Sequence, residues 1–234
     1  MDKPLFLALD FATGDRAKNF IREHSLQGIP VKVGMELFYR EGPEIVTWLK
    51  DNGHELFLDL KLHDIPHTVE KAMANLAQLG VNMVNVHALG GSQMIQAAKR
   101  GLEKGAVHEL PKLMAVTLLT SMDEETLANE LTIDASIEKT AEHLAMMAKE
   151  SGADGVVCSA NEARTIKQAC GQEFLTVTPG IRLQGSASND QVRIATPAYA
   201  KQNGADYLVI GRTVTKADNP KQAYQQVVEE WTHA

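Results

Sequence analysis

Cysteine is scarce in this chain: Cys158 and Cys170 are the only two among 234 residues. Two thiols are too few for a disulfide framework and fit a reducing compartment. Positive charge is also short. Lys and Arg number 23 against 30 Asp and Glu, a formal net charge of −7, so the electrostatic footprint of a nucleic-acid or anionic-membrane binder is missing. An anionic substrate would therefore need a local cluster of basic groups. No apolar run approaches the length of a membrane span, and no leader-like segment opens the sequence, because Pro4 to Leu9 enters a strand directly and meets Asp10. The expected compartment is the cytoplasm. No linker or low-complexity stretch divides the chain. Histidines His63 and His67 lie close together, yet no histidine and carboxylate set has metal-ligand spacing, so no metal is expected.

What is present is a regular alternation of short apolar runs with helical stretches. Strands are expected at Pro4–Asp10, Ile29–Val33, His54–Lys61, Val81–His87, Lys112–Leu119, Asp154–Cys158, Phe174–Val177 and Ala205–Ile210. Helices are expected between them: Thr13–His24 with Thr13 as N-cap, Pro43–Asn52, Pro66–Leu79 closed by Gly80, Gln93–Lys104, Ser136–Ser151, Asn161–Ala169, a segment ending near Gln202, and Pro220–Trp231. Eight strand–helix units predict one (β/α)8 TIM barrel spanning residues 1–234 as a single domain. An open doubly wound sheet is the alternative. The absence of a Gly-x-Gly-x-x-Gly fingerprint after the first strand lowers it without excluding it.

The third strand carries the most chemistry. From Glu55 the chain reads Glu-Leu-Phe-Leu-Asp-Leu-Lys-Leu-His-Asp-Ile-Pro-His-Thr. Alternation puts Asp59, Lys61 and His63 on one face and Leu58, Leu60 and Leu62 on the other. Asp59 and Lys61 then stand about 7 Å apart along the strand, from its rise of ~3.3 Å per residue. Asp64 follows where the strand must end, since Pro66 cannot donate to a ladder and instead opens a helix. An isolated Asp-x-Lys is ordinarily a surface ion pair. This one falls where an apolar strand meets a Pro-started helix, the place where α/β folds bind ligands.

Collecting the other C-terminal strand ends gives Asp10, Lys32, Thr120, Arg182, Gly211 and Arg212 around the same mouth. Lys32, Asp59, Lys61 and Asp64 would form an array of alternating charge in which each group must be balanced by its neighbours; a structural network could do the same. The loops after strands seven and eight are a common phosphate seat in barrels. They offer Arg182, Gln191 and Gly211-Arg212, the last either a plain helix cap or an anion-binding turn. The Gly/Ser-rich segment Leu183–Asp190 is a surface loop or a lid. His87 reads as a hydrogen-bonded pocket wall, Cys158 as a buried apolar group, Met146-Met147 as core filling, and Asp123-Glu124-Glu125 as a solvated helix start.

The run Asp59-Leu60-Lys61-Leu62-His63-Asp64-Ile65-Pro66-His67-Thr68 resembles the signature of the orotidine 5′-monophosphate decarboxylase family in its bacterial form. The resemblance extends along the whole chain, through Leu9-Asp10, Val31-Lys32-Val33-Gly34, Thr178-Pro179-Gly180-Ile181-Arg182 and Ile210-Gly211-Arg212. The ten-residue run is specific; Asp-x-Lys-x-x-Asp alone would be shared with relatives in the superfamily. The resemblance implies decarboxylation of orotidine 5′-monophosphate to uridine 5′-monophosphate without metal or cofactor, in a homodimer with sites at the subunit interface. It implies Lys61 as proton donor to C6, Asp59 beside the departing carboxylate, and Asp64 and Thr68 reaching over from the partner. Lys32 and Asp10 would hold the ribose, Thr120 would lie against the pyrimidine, and Arg182, Gln191, Gly211 and Arg212 would take the phosphate. Three other readings stand beside it: a metal-dependent sugar-phosphate decarboxylase or synthase of the same superfamily, a Schiff-base aldolase using Lys61, and a barrel that only binds nucleotides. The first is weakened by Lys32, which stands where such enzymes need a metal-binding acid.

Overall fold

The computed structural model describes residues 4–107, 109–183 and 194–234. Its eight strands are β1 Leu5–Ala8, β2 Val31–Gly34, β3 Leu56–Leu62, β4 Met83–His87, β5 Lys112–Val116, β6 Gly155–Val157, β7 Leu175–Thr178 and β8 Tyr207–Ile210. Each pairs in parallel with its neighbour, and β8 returns to β1 to close the barrel. That closure excludes the open sheet. The helices are α1 Gly14–Glu23, α2 Met35–Glu41, α3 Pro43–Asp51, α4 Pro66–Ala77, α5 Gly91–Gly105, α6 Ile137–Glu150, α7 Ala160–Cys170, α8 Pro197–Gln202, α9 Arg212–Thr215 and α10 Pro220–Thr232. No described helix is long and apolar enough to cross a membrane.

Strand alternation builds two cores. Phe6, Phe57, Met83, Met114, Val177 and Tyr207 fill the barrel interior, with Phe6 packed edge-on against Phe57 at 5.8 Å between ring centres. The intervening residues, such as Leu7, Val33, Leu58, Val84 and Leu208, face outward into the larger layer beneath the helices. Near-continuous apolar strands are what a sheet buried on both faces requires. Between α4 and α5 the backbones touch: a Cβ added at Gly101 would lie 2.2 Å from the Glu70 carbonyl oxygen, and one at Gly105 would lie 2.0 Å from that of Ala74. Only glycine allows that approach.

A repeated device pins the N-terminal end of the barrel. Before β4, β6 and β8 stand Gly80-Val81-Asn82, Gly152-Ala153-Asp154 and Gly204-Ala205-Asp206. Each glycine takes the left-handed backbone that ends the preceding turn, at φ +66°, +90° and +87°. Each Asn or Asp then accepts a backbone N–H from the first or second residue of the previous strand: Asn82 from Leu56 at 2.9 Å, Asp154 from Leu113 at 2.7 Å, and Asp206 from Thr176 at 2.7 Å. The two aspartates are balanced by lysines on the outer helices, Lys99 to Asp154 at 2.9 Å and Lys167 to Asp206 at 2.6 Å.

Most expected elements are found with ends one or two residues different. Thr13 caps α1 as expected, its hydroxyl accepting from the Arg16 N–H. Three points differ. Helix α2 fills what reads as a plain connection, because only Leu37 of its seven residues is buried while Met35 and Tyr39 are exposed, which blurs the amphipathic pattern. The acidic segment after β5 contains a π-helical turn, Thr126–Glu130. Met146 is exposed at 41% and fills no core, although Met147 packs against it.

Candidate active site

The C-terminal ends of the strands surround a cavity of about 530 Å³. One wall is apolar, with Ala8, Phe57, Val116, Leu118, Val157, Cys158 and Val209. Asp10, Lys32, Asp59 and Lys61 form the charged end, and Thr120, Arg182, Gly211 and Arg212 also line the cavity. The strand ends thus bring eight sequence-predicted residues to one cavity.

Asp59 is the hub of the charged end. Its Oδ1 accepts from Lys61 Nζ at 2.7 Å and from Asn85 Nδ2 at 2.6 Å, and its Oδ2 lies 3.3 Å from Lys32 Nζ. Lys32 Nζ also donates to Asp10 Oδ1 at 3.1 Å. Both Lys32 and Asp59 are 8% exposed. Burial pushes the Asp59 carboxyl upward, but the Lys32 and Lys61 ammonium groups, with the donors of Lys61 and Asn85, outweigh it and hold the pKa below the usual carboxylate value. For Lys32 burial acts to lower the pKa, and Asp59 and Asp10 reverse that, leaving it above the ordinary lysine value. The charges therefore sustain one another in a place where any one alone would be driven neutral.

Lys61 reaches this position through an irregular backbone. The register runs Leu58 opposite Val84 and then Leu62 opposite Val86. Lys61 sits in that interval at φ +49°, a left-handed conformation. Asp59 and Lys61, two residues apart on the face that enters the cavity, meet there at hydrogen-bond distance.

After β8, Gly211 precedes the single turn of α9, which begins at Arg212. Arg182 is 6% exposed, and its Nη1 donates to its own neighbour's carbonyl, Ile181, at 2.8 Å. Thr215 and Lys216 also face the cavity and were not anticipated; an exposed lysine after a helical turn carries no signal in sequence that separates it from other surface lysines.

Asp64 and Thr68 do not join the cavity of their own chain. Asp64 is exposed and its Oδ1 accepts the N–H of Ile65 at 2.6 Å, and Thr68 is exposed on α4. The chain leaves the barrel after Leu62, the last residue of β3, and turns toward Pro66, so the expected fourth member of the array is absent from the within-chain set. His87 is not a pocket wall either. It lies at the outer rim with its ring 5.6 Å from that of His63, at 19° between planes, and its Nδ1 accepts from the Leu89 N–H. Burial, with His63 and Lys61 nearby, lowers its pKa. Gln191 and residues 184–190 of the expected lid lie outside the described residues. Asn85 is the principal residue that motif reading passed over; its signal is a lone amide inside the apolar run Met83-Val84-Asn85-Val86.

A closed parallel barrel with a charged cavity at its strand ends defines an enzyme of the (β/α)8 class. The sequence profile of the orotidine 5′-phosphate decarboxylase / HUMPS family matches residues 3–227. Proteins named orotidine 5′-phosphate decarboxylase from Bacillus cytotoxicus and from Geobacillus sp. are each 52% identical to it over 233 residues, covering 99% of this chain and 98% of theirs. The crystal structure of orotidine 5′-phosphate decarboxylase from Lactobacillus acidophilus superposes with a TM-score of 0.87 at 43% identity, over 98% of this chain and 99% of that one. An uncharacterized conserved protein from Geobacillus kaustophilus gives 0.86 at 47%, over 97% and 100%. The chain belongs to the orotidine 5′-phosphate decarboxylase / HUMPS family.

Proposed function

We propose that this protein converts orotidine 5′-monophosphate to uridine 5′-monophosphate and CO2, with no cofactor, through an array of Lys32, Asp59 and Lys61. The observation that carries the reading is the Lys61 ammonium held 2.7 Å from Asp59 at the end of a cavity large enough for a nucleotide. Loss of CO2 from C6 leaves an electron pair in the plane of the ring, where no carbonyl delocalises it well. A fixed ammonium stabilises that pair as it forms and then delivers a proton to the carbon. Asp59 would face the substrate carboxylate, a like-charge contact that relaxes as neutral CO2 departs; preorganised stabilisation by Lys61 is the larger contribution.

In this reading Asp10 and Lys32 would hold the ribose hydroxyls, Thr120 would lie against the pyrimidine, and Arg182, Gly211 and Arg212 would take the phosphate, joined by Gln191, which lies outside the described residues. Binding energy from the phosphate can then be used to order the charged end. The apolar wall suits a flat base.

Asp64 and Thr68 would complete the site of a second copy in a homodimer. Their exposure supports this, as does the exposure of Met35, Ile65 and Leu89 just beyond the ends of the adjacent strands β2, β3 and β4. Mixing Lys61→Ala and Asp64→Ala subunits should then restore turnover, because each hybrid dimer holds one intact site.

The deciding experiment follows the absorbance of orotidine 5′-monophosphate with EDTA present. Turnover is expected. A folded protein that needs added metal, or that forms a borohydride-trapped adduct at Lys61, would transfer the assignment to a metal-dependent or Schiff-base enzyme.

A further inference from the structure

Asn85 is 1% exposed and sits at the irregularity of β3. Because Leu58 pairs with Val84 and Leu62 with Val86, the residues Asp59, Leu60 and Lys61 stand opposite Asn85 alone. An interruption of this size removes ladder partners from the bulged strand. The Asn85 side chain replaces one of them, its Oδ1 accepting the Lys61 backbone N–H at 2.7 Å. Its Nδ2 simultaneously donates to Asp59 Oδ1 at 2.6 Å. The two partners fix the orientation of the amide, since a backbone N–H requires an acceptor and a carboxylate requires a donor.

We propose that Asn85 is a positioning residue for the reacting pair, one amide that both holds the Lys61 backbone in its left-handed conformation and aims the Asp59 carboxylate at the ammonium. The inference rests on the roles proposed above for Lys61 and Asp59. A short amide meets both demands where other side chains do not. Aspartate would set a second carboxylate against Asp59 and lose the donor; an aliphatic side chain would leave the Lys61 N–H buried without its acceptor. The left-handed backbone is unfavourable for a residue with a Cβ, so Lys61 stays there because something holds it. Without Asn85 the ammonium has room to drift from the carbon it must protonate, and binding of the phosphate and ribose, made by other strands, is left alone.

The test compares the parent with Asn85→Ala and Asn85→Asp. Asn85→Ala is expected to lower kcat about 100-fold, the size of loss that misplacing a reacting group produces, with KM changed by less than about threefold. In Asn85→Asp, kcat should climb as the pH falls, because a protonated carboxyl regains the donor toward Asp59, while the parent shows no such climb. A kcat for Asn85→Ala within about twofold of the parent, or an Asn85→Asp profile parallel to the parent's, would overturn the proposal. Should Asn85→Ala not fold, the Asn85→Asp profile decides. A readout independent of turnover separates this idea from the assignment of the reaction. The carbon-13 resonance of the Asp59 carboxyl should titrate at higher pH in Asn85→Asp than in the parent, and an unchanged midpoint overturns the clamp even if the parent decarboxylates nothing.

Discussion

The two ends of the barrel use the same chemical pair, an aspartate with a lysine, to opposite purposes. At the N-terminal end Asp154 and Asp206 accept from strand backbone and from Lys99 and Lys167 of the outer helices, facing away from the cavity. At the C-terminal end Asp59 meets Lys32 and Lys61 inside it. An ion pair that also closes a backbone hydrogen bond is anchored by the fold. An ion pair between side chains that line a cavity can be rearranged by whatever enters. Surroundings, more than residue type, separate structure from chemistry in this molecule.

Substitutions at the two ends should therefore fail in different currencies. The largest effect is expected for Lys61→Ala, which on the proposed mechanism should cut turnover by at least about 1000-fold, since it would remove both the proton donor and the fixed charge. Its unfolding midpoint should change little, because Asp59 keeps Lys32 and Asn85. A variant that retains ordinary turnover would return Lys61 to the class of structural ion pairs. Next comes Asp206→Ala, expected to lose about 2 kcal/mol of stability in urea unfolding by leaving Lys167, only 6% exposed, with the Gln172 carbonyl but no counter-charge, and the Thr176 N–H without its acceptor. At temperatures where it remains folded its kcat should match the parent's; a kcat defect in the folded state would erase the contrast between the ends.

Acid should act on the cavity end in a defined direction. The folded-state pKa of Asp59 is depressed, so its contribution to stability is complete above its unfolded value of about 4. That contribution disappears as the pH falls through the folded value. Lys32 has the reverse sign: raised when folded, it contributes fully below about pH 10.4 and loses that contribution as the pH climbs through its folded value. The stability difference between parent and Asp59→Asn should be flat from about pH 5 to 9 and shrink below about pH 4. A gap that persists unchanged into strong acid would mean that Asp59 is not held as a carboxylate. The smallest effect is expected at Gly34, where an added Cβ would lie 3.1 Å from Lys32 Nζ. Gly34→Ala should displace the ammonium slightly and lower kcat/KM by about threefold, measured with the unfolding midpoint as control.

Much of this was legible beforehand, for identifiable reasons. Apolar strands bounded by Gly and Pro made the alternation readable, and alternation placed Asp59 and Lys61 on the face that does enter the cavity. Helix α2 stayed hidden because one buried leucine does not make a stripe. The bulge at β3 was hidden as well: nothing in Leu-Asp-Leu-Lys-Leu announces a left-handed Lys61, which depends on an amide 24 residues later in sequence. Asp64 looked like a neighbour of Lys61 because a strand carried on straight would keep it near, whereas the chain turns outward before reaching it. His87 failed for a similar reason, since the last residue of a strand can face the rim as easily as the cavity.

The pins at the N-terminal end have one more implication. Asn82, Asp154 and Asp206 each fasten an odd strand to the even strand that follows: β3 to β4, β5 to β6, β7 to β8. At the corresponding place before β2 the chain has Gly28-Ile29-Pro30, and proline offers no side-chain acceptor. The hoop is thus riveted by side chains at three joints and held by backbone bonds alone at the fourth, such as the Leu7 N–H to the Pro30 carbonyl at 3.0 Å, so amide exchange should find its first parting between β1 and β2, the staves that carry Asp10 and Lys32.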